Sequence, residues 1–274
     1  MIRLAIRCRP ELAEQVLAEL VQLVPGGVEE ERGDGWVEYA VYGPPGELPA
    51  VPEFEAAAGD GLVEISSTEI PDDWADRWRD FHEPVTLAGG RIVVRPSWER
   101  GAGAAADLDL EIDPGQAFGT GAHHTTSMCL ELLQELSDAN EANGALVDLG
   151  TGSGVLAIAA AKLGWDPVAG YDSEAASIEA AAANAEINGV TLRLERLNLR
   201  EQPVPIAPTT VANLTAPLLE TVVARFDAIP DTLVCSGLLG SEVERVRSAM
   251  ADAGLAVTSE RRGGDWAALL CRKR

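Results

Sequence analysis

Apolar and polar side chains alternate along the opening IRLAIRC, the period of two expected of a strand with one buried face. The next segment, ELAEQVLAELVQLV, changes to helical spacing, and GVEEERGDGWVEYAVY divides into two strands around a Gly-Asp-Gly turn. A second helix fits VPEFEAAAG, and LVEISSTEI alternates again. The order βαββαβ over residues 1–70 predicts a small α+β domain of the ferredoxin-like, split βαβ kind. In PDDWADRWRDFHEP, Trp74, Trp78 and Phe81 fall on one helical face behind an acidic first turn, which predicts a linker helix whose aromatic seam packs between domains. GRIVVRPSWERGAGAAADLDLEI then offers two strands around a Gly- and Ala-rich connection, expected to be a flexible surface loop. The helix and these strands make residues 71–106 a connecting region.

From Asn143 strands and helices alternate strictly. ALVDL is a nearly continuous apolar strand, VLAIAAAKLG a helix, PVAGYD a strand, SEAASIEAAAANAEING a helix closed by Asn-Gly, and TTVANL a strand before the helix PLLETVVARF. DTLVCSG, the helix SEVERVRSAMADAG and two strands around LAVTSE and WAALLC complete the chain. Such alternation predicts a doubly wound, Rossmann-like α/β domain over residues 107–274, its mostly parallel sheet covered on both faces.

Composition narrows the setting. A length of 274 residues with 46% hydrophobic content suits one large or two moderate domains. No apolar run approaches the roughly 20 residues of a membrane span, and the charged N-terminus lacks the unbroken apolar stretch of a signal peptide. A cytoplasmic protein without a membrane partner is expected. Cys8, Cys129, Cys235 and Cys271 are far apart and form no CxxC pair, so they read as buried reduced thiols. The net charge of −23 opposes nucleic-acid binding, which draws on dense Lys and Arg; it suits a basic protein partner, and it serves solubility equally well.

The chemistry concentrates in three places. In VDLGTGSGVLAIAAA, Gly150, Gly152 and Gly154 sit where a buried strand must turn directly into a helix, so a ligand can lie against bare backbone. Dinucleotide folds space such glycines as GxGxxG and seat a diphosphate on the helix N-terminus. Here the spacing is GxGxG, and no Lys or Arg follows before Lys162. Asp148 sets a negative charge at the strand end, where it repels phosphate and welcomes an ammonium. Asp172, 22 positions after Gly150, stands where an acid accepts hydrogen bonds from ribose hydroxyls; capping the next helix is its plainer use. A nucleoside with a cationic amino-acid tail and no phosphates meets these demands, and S-adenosylmethionine is such a molecule.

The second place is VANLTAPLL, at the carboxyl end of a later strand, the edge at which open α/β sheets bind ligands. There the amide oxygen of Asn213 can accept from an attacking amine and aim its lone pair. The third is DPGQAFGTGAHHTT, which has neither helical nor strand periodicity and fits a metal site, a phosphate cradle or a lid. His123 and His124 are adjacent and rarely could both reach one ion, so no metal is expected.

In this order the motifs resemble those of the bacterial methyltransferases of large-subunit ribosomal protein eleven: DDWADRW, DPGQAFGTGAHHTT, VDLGTGSGVLAIAAAKLG, GYD and ANLTAPLL, over nearly the whole length. The resemblance implies a seven-stranded methyltransferase sheet behind a ferredoxin-like substrate domain, with S-adenosylmethionine as cofactor. It places Thr126, Gly150, Asp172 and Asn213 on the cofactor, makes Phe118 part of a mobile wall over it, and starts a helix at Thr126. Asp148 and Gly152 complete the expected cofactor set, and Asn213 is the expected catalytic residue. Two departures stand out. Thr215-Ala216-Pro217 replaces a longer family turn, and DSEA follows the second strand where an Asp-Pro pair is usual.

The implied reaction is in-line displacement by a neutral amine on a sulfonium methyl, with the N-terminal amine and lysines of a basic ribosomal protein as acceptors and the enzyme acting as a monomer. Alignment and a dry pocket then matter more than a strong acid or base. Another protein lysine or a small-molecule acceptor is the nearest alternative, and an NAD-dependent oxidoreductase is the rival from another class.

Overall fold

A computed structural model of the chain describes residues 2–13, 16–17, 29–33, 35–43, 62–69, 83–99, 101–113 and 123–274. The expected helix at VPEFEAAAG and the linker helix with Trp74, Trp78 and Phe81 lie outside the described residues. The chain divides into two compact units, Met1–Phe81 and His82–Arg274.

In the first unit β1 (Ile2–Cys8), β2 (Glu29–Gly33), β3 (Trp36–Gly43) and β4 (Leu62–Glu69) form one sheet in the order β2-β3-β1-β4. All its pairings are antiparallel, and β3 lies between β1 and β2 as in the split βαβ arrangement. Alternation sorts the two faces. Leu4, Ile6, Cys8, Val37, Tyr39 and Val41 build the core with Ala13 and Val16, and the Tyr39 hydroxyl donates to the Ala13 carbonyl at 3.1 Å. On the other face, buried Glu38 pairs with Arg3 and Arg7. Burial works against its charge, and the two guanidiniums outweigh it and hold its carboxyl below the usual range.

The second unit opens with a three-stranded sheet of β5 (Val85–Leu87), β6 (Ile92–Arg95) and β7 (Leu108–Glu111). The two strands read from GRIVVRPSWERGAGAAADLDLEI are β6 and β7, and they pair in parallel. The Gly- and Ala-rich connection is therefore a crossover, the form a parallel pair needs. Helix α1 (His124–Asp138) follows, and then the large sheet: β8 (Leu146–Leu149), α2 (Val155–Leu163), β9 (Val168–Asp172), α3 (Ala175–Ile187), β10 (Arg193–Arg196), β11 (Thr209–Asn213), α4 (Ala216–Val223), β12 (Thr232–Leu239), α5 (Val243–Asp252), β13 (Leu255–Gly263) and β14 (Trp266–Lys273).

Its seven strands run β10-β9-β8-β11-β12-β14-β13. The five from β10 to β12 are parallel, and β14 pairs antiparallel with both β12 and β13. One face packs against α1 and α2 through residues such as Leu130, Leu133, Leu146, Ile158 and Val211. The other packs against α4 and α5 through Val147, Leu149, Leu219, Val246 and Met250. Two-sided burial explains why β8 reads as a nearly continuous apolar run, and β11 buries its two threonines with Val211 and Ala212. Cys8, Cys129, Cys235 and Cys271 are buried free thiols, as their spacing suggested. Among the described residues no helix is long and apolar enough to cross a membrane.

Candidate functional site

The chain leaves β8 through α2 toward β9 and β10 on one side, and returns on the other side as β11. The sheet's winding reverses there, so a crevice opens at the carboxyl ends of β8 and β11. The turn after β8 stands at its mouth. Gly150, Gly152 and Gly154 take φ of 75°, 53° and 83°, left-handed values that glycine alone adopts without cost. Gly150 and Thr151 donate their N–H groups to the Tyr171 carbonyl at 2.8 and 2.9 Å, tying the turn to β9.

Asp172, half-buried at the end of β9, is the second fastener. One carboxylate oxygen accepts from the Gly152 N–H at 3.0 Å, and the other from the Glu174 N–H at 3.0 Å, just ahead of α3. The capping use and a ligand use are therefore compatible. Each oxygen has a further lone-pair direction, which ribose hydroxyls can take.

Asp148 shares the pleat face of Leu146, beneath α1 and α2, and it is 0% exposed. The Thr151 hydroxyl donates to its Oδ2 at 2.7 Å, while Oδ1 has no hydrogen-bond partner among the described residues. Burial pushes its carboxyl up to about 7; the Thr151 hydroxyl and the Ala157 peptide N–H pull it back in part, and the Asp172 charge adds to the rise. Because the carboxyl is fully buried, an ammonium bound in the crevice would favour its charged form through space. The cations that follow along the chain are committed elsewhere: Lys162 Nζ donates to the Asp109 carbonyl at 2.6 Å, Arg193 to Glu195 Oε1 at 2.6 Å, and Arg196 Nε to the Ser173 carbonyl at 2.7 Å. The donor set fits a phosphate-free, ammonium-bearing nucleoside.

Asn213 ends β11, and its Nδ2 donates to Thr126 Oγ1 at 3.3 Å. Thr126 is 1% exposed in the first turn of α1, which begins at His124, two residues before the expected start. Two motifs 87 positions apart thus meet at the sheet edge. His123 is the N-terminal cap of α1, accepting from the Thr125 N–H. Its ring stands edge-on to Trp266 with centroids 4.9 Å apart. Burial, with His124 beside it, lowers its pKa. His124 lies against the Gly263-Gly264 turn between β13 and β14. The described geometry gives both histidines packing or capping roles. Phe118 lies outside the described residues.

Of the expected set, Thr126, Asp148, Gly150, Gly152, Asp172 and Asn213 gather at this one edge. Thr151 was missed. It stands three residues after Asp148, the one hydroxyl between the first two glycines of the turn, and that spacing was the available signal for a partner to the buried acid.

Residues 52–274 match the family model described as ribosomal protein L11 methyltransferase. The chain is 40% identical over 210 residues to the ribosomal protein L11 methyltransferase of Pelotomaculum thermopropionicum, covering 75% of this chain and 67% of that protein. It is 32% identical over 276 residues to the one of Symbiobacterium thermophilum, covering 93% and 85%. Among solved structures it resembles the ribosomal protein L11 methylase of Lactobacillus delbrueckii subsp. bulgaricus, at 28% identity and a TM-score of 0.62, over 70% of this chain and 100% of that one.

Proposed function

The chain belongs to the ribosomal protein L11 methyltransferase family, and from that premise we propose that it transfers methyl groups from S-adenosylmethionine to the N-terminal amine and lysines of ribosomal protein L11. The observation that carries this reading is the meeting of Asn213 with Thr126 at the crevice where the glycine turn ends β8. When bound, the cofactor supplies an electrophilic methyl on a sulfonium and leaves as a neutral thioether. The protein's own residues hold and orient. Asp148 faces the ammonium, Gly150 and Gly152 admit the ligand to bare backbone, Asp172 takes the ribose hydroxyls, and Thr126 with Phe118 closes the cofactor's other side.

Asn213 acts on the acceptor. Its Nδ2 is committed to Thr126, which leaves Oδ1 to accept an N–H of the incoming amine and aim the nitrogen lone pair. A lysine must lose a proton near ~10.4 and an α-amine near ~7.8 before attack; desolvation in the crevice lowers either. Because charge is dispersed during transfer, alignment does most of the work.

Residues 1–70 recognise the protein substrate, residues 71–106 connect, and residues 107–274 carry the chemistry. The enzyme works as a cytoplasmic monomer on its basic protein substrate, to which its charge of −23 is suited. Incubation of the purified protein with ribosomal protein L11 and isotope-labelled cofactor, followed by mass spectrometry, should show labelled methyl groups on amines. Unlabelled ribosomal protein at saturating cofactor would refute the assignment.

A further inference from the structure

Leu214 follows Asn213 and is held on three sides. Its N–H donates to the Ser236 carbonyl of β12 at 3.0 Å. Its carbonyl group lies against Gly237, where an added Cβ would stand 2.2 Å from the Leu214 oxygen and 2.6 Å from its carbonyl carbon. Its side chain, 8% exposed, presses on the cofactor turn, where a Cβ on Gly150 would come within 2.5 Å of Leu214 Cδ2.

The close approach at Gly237 has a cause in β12. Cys235 pairs with Leu269 and Leu238 with Ala267, three steps on β12 against two on β14, so β12 carries one extra residue. Gly237 takes φ of 85°, the left-handed conformation that such a bulge gives to glycine. Bulges of this kind re-aim neighbouring groups and concentrate beside active sites. Here the group beside it is the peptide that carries Asn213. The side-chain bond to Thr126, at 3.3 Å, is long for a hydrogen bond and holds only one end of the amide.

We infer that Leu214, seated on the Gly237 bulge, is a positioning residue that sets the Asn213 amide against the Gly150 turn and so holds acceptor and cofactor in register for methyl transfer. The inference rests on the reading of Asn213 as the acceptor's guide. Leu214 is also part of the layer beneath α4 and α5, and a residue serving that layer alone would affect stability without touching turnover. Leu219, 0% exposed in the same layer, provides the control.

The test uses the full-length protein at a temperature where circular dichroism shows every variant folded. Turnover on ribosomal protein L11 and the affinity for S-adenosylhomocysteine are measured for Leu214→Ala, Leu214→Met, Leu219→Ala and Asn213→Ala. A displacement of about 1 Å at a reacting group costs on the order of 100-fold, so Leu214→Ala should lower kcat by about 10- to 100-fold with the dissociation constant of S-adenosylhomocysteine changed by less than about fivefold. Leu214→Met should restore most of the rate, and Leu219→Ala should keep kcat within about threefold of the wild type. Gly237→Ala should mimic Leu214→Ala, and the Leu214 variants decide the matter whether or not it folds. If Leu214→Ala turns over as fast as Leu219→Ala while Asn213→Ala is slow, the positioning role is overturned and the role of the amide stands. Wild-type turnover in Asn213→Ala overturns the reading of the amide, and the inference with it.

Discussion

Replacing Asp148 with asparagine separates the stability of the fold from the binding of its ligand. The carboxyl is 0% exposed, its Oδ1 lacks a partner among the described residues, and its pKa is pushed up to about 7 by burial first of all. An unfolded chain returns it to about 3.9. Because the folded state holds the proton more tightly than the unfolded one, the contribution of this carboxyl to stability is most favourable below about pH 4, falls as pH rises between the two values, and carries the full cost above about 7. Three units at 1.36 kcal/mol each give roughly 4 kcal/mol in total, of which roughly 2.5 kcal/mol accrues between pH 5 and pH 8. Asparagine has the same shape and no charge. Its oxygen can keep the Thr151 hydroxyl, at a packing and hydrogen-bonding cost that does not depend on pH. The difference between the two pH values cancels that cost. Thermal unfolding without ligand should therefore show Asp148→Asn gaining roughly 2.5 kcal/mol on the wild type from pH 5 to pH 8, or about 5–10 °C in Tm for a unit of this size. On the proposed reading the same variant should bind S-adenosylhomocysteine more weakly at pH 8, because it lacks the negative charge behind the site of the ammonium. Parallel stability curves for the two proteins across that range would refute the account of a strained, ionised carboxylate.

Two further outcomes are expected. Asp172→Ala removes the acceptor of the Gly152 and Glu174 N–H groups together with the ribose contact; charge-assisted bonds worth about 1.5–3 kcal/mol each predict a loss of about 100-fold or more in S-adenosylhomocysteine affinity, and unchanged calorimetric binding would sink the ribose assignment. Deleting residues 1–81, the first compact unit, should leave that affinity within about threefold, since removing even one charged hydrogen bond to the ligand would cost about tenfold or more, while methylation of ribosomal protein L11 disappears; methylation at the full-length rate would count against a recognition role for that part of the chain.

The sequence was most legible where one physical demand acts on many consecutive residues. Two-sided burial makes β8 apolar except at Asp148, and one-sided burial makes β1 alternate, so these strands could be read without tertiary knowledge. β10 could not. Its residues Arg193–Arg196 are mostly exposed at the sheet edge, with an Arg193–Glu195 pair on the surface, and only backbone pairing to β9 makes them a strand. Gly237 misled for a related reason. A glycine after DTLVCS reads as a strand end, whereas β12 runs through it to Leu239 as a bulge, and the cause is a peptide 23 positions away in sequence. The candidate site divides in the same way. The glycine turn, Asp172 and Asn213 are local and were readable from spacing and strand ends, whereas Thr126 entered only through the family resemblance and its bond to Asn213 is long-range and was not foreseen. The full burial of Asp148 was also hidden, because a charged residue at the end of a strand ordinarily reaches water.

The arrangement around Asp148 bears on what kind of ligand the crevice accepts. A buried carboxylate normally keeps its charge by taking a nearby guanidinium or ammonium, as Glu38 does with Arg3 and Arg7 in the first unit. Among the described residues no guanidinium or ammonium pairs with Asp148. Lys162 is tied to the Asp109 carbonyl and Arg196 to the Ser173 carbonyl, the cap of α2 is a glycine without a side chain, and Asp172 adds a second negative charge. The same sequence thus neutralises one buried acid completely and leaves another waiting. On the proposed reading, a ligand that brings its own cation would relieve a cost already built into the fold, and part of its affinity would come from that relief. A diphosphate would add to the repulsion instead. On the proposed reading, selection for a sulfonium nucleoside over a dinucleotide would rest on a shortage of positive charge among the described residues at the end of β8 as much as on the shape of the glycine turn.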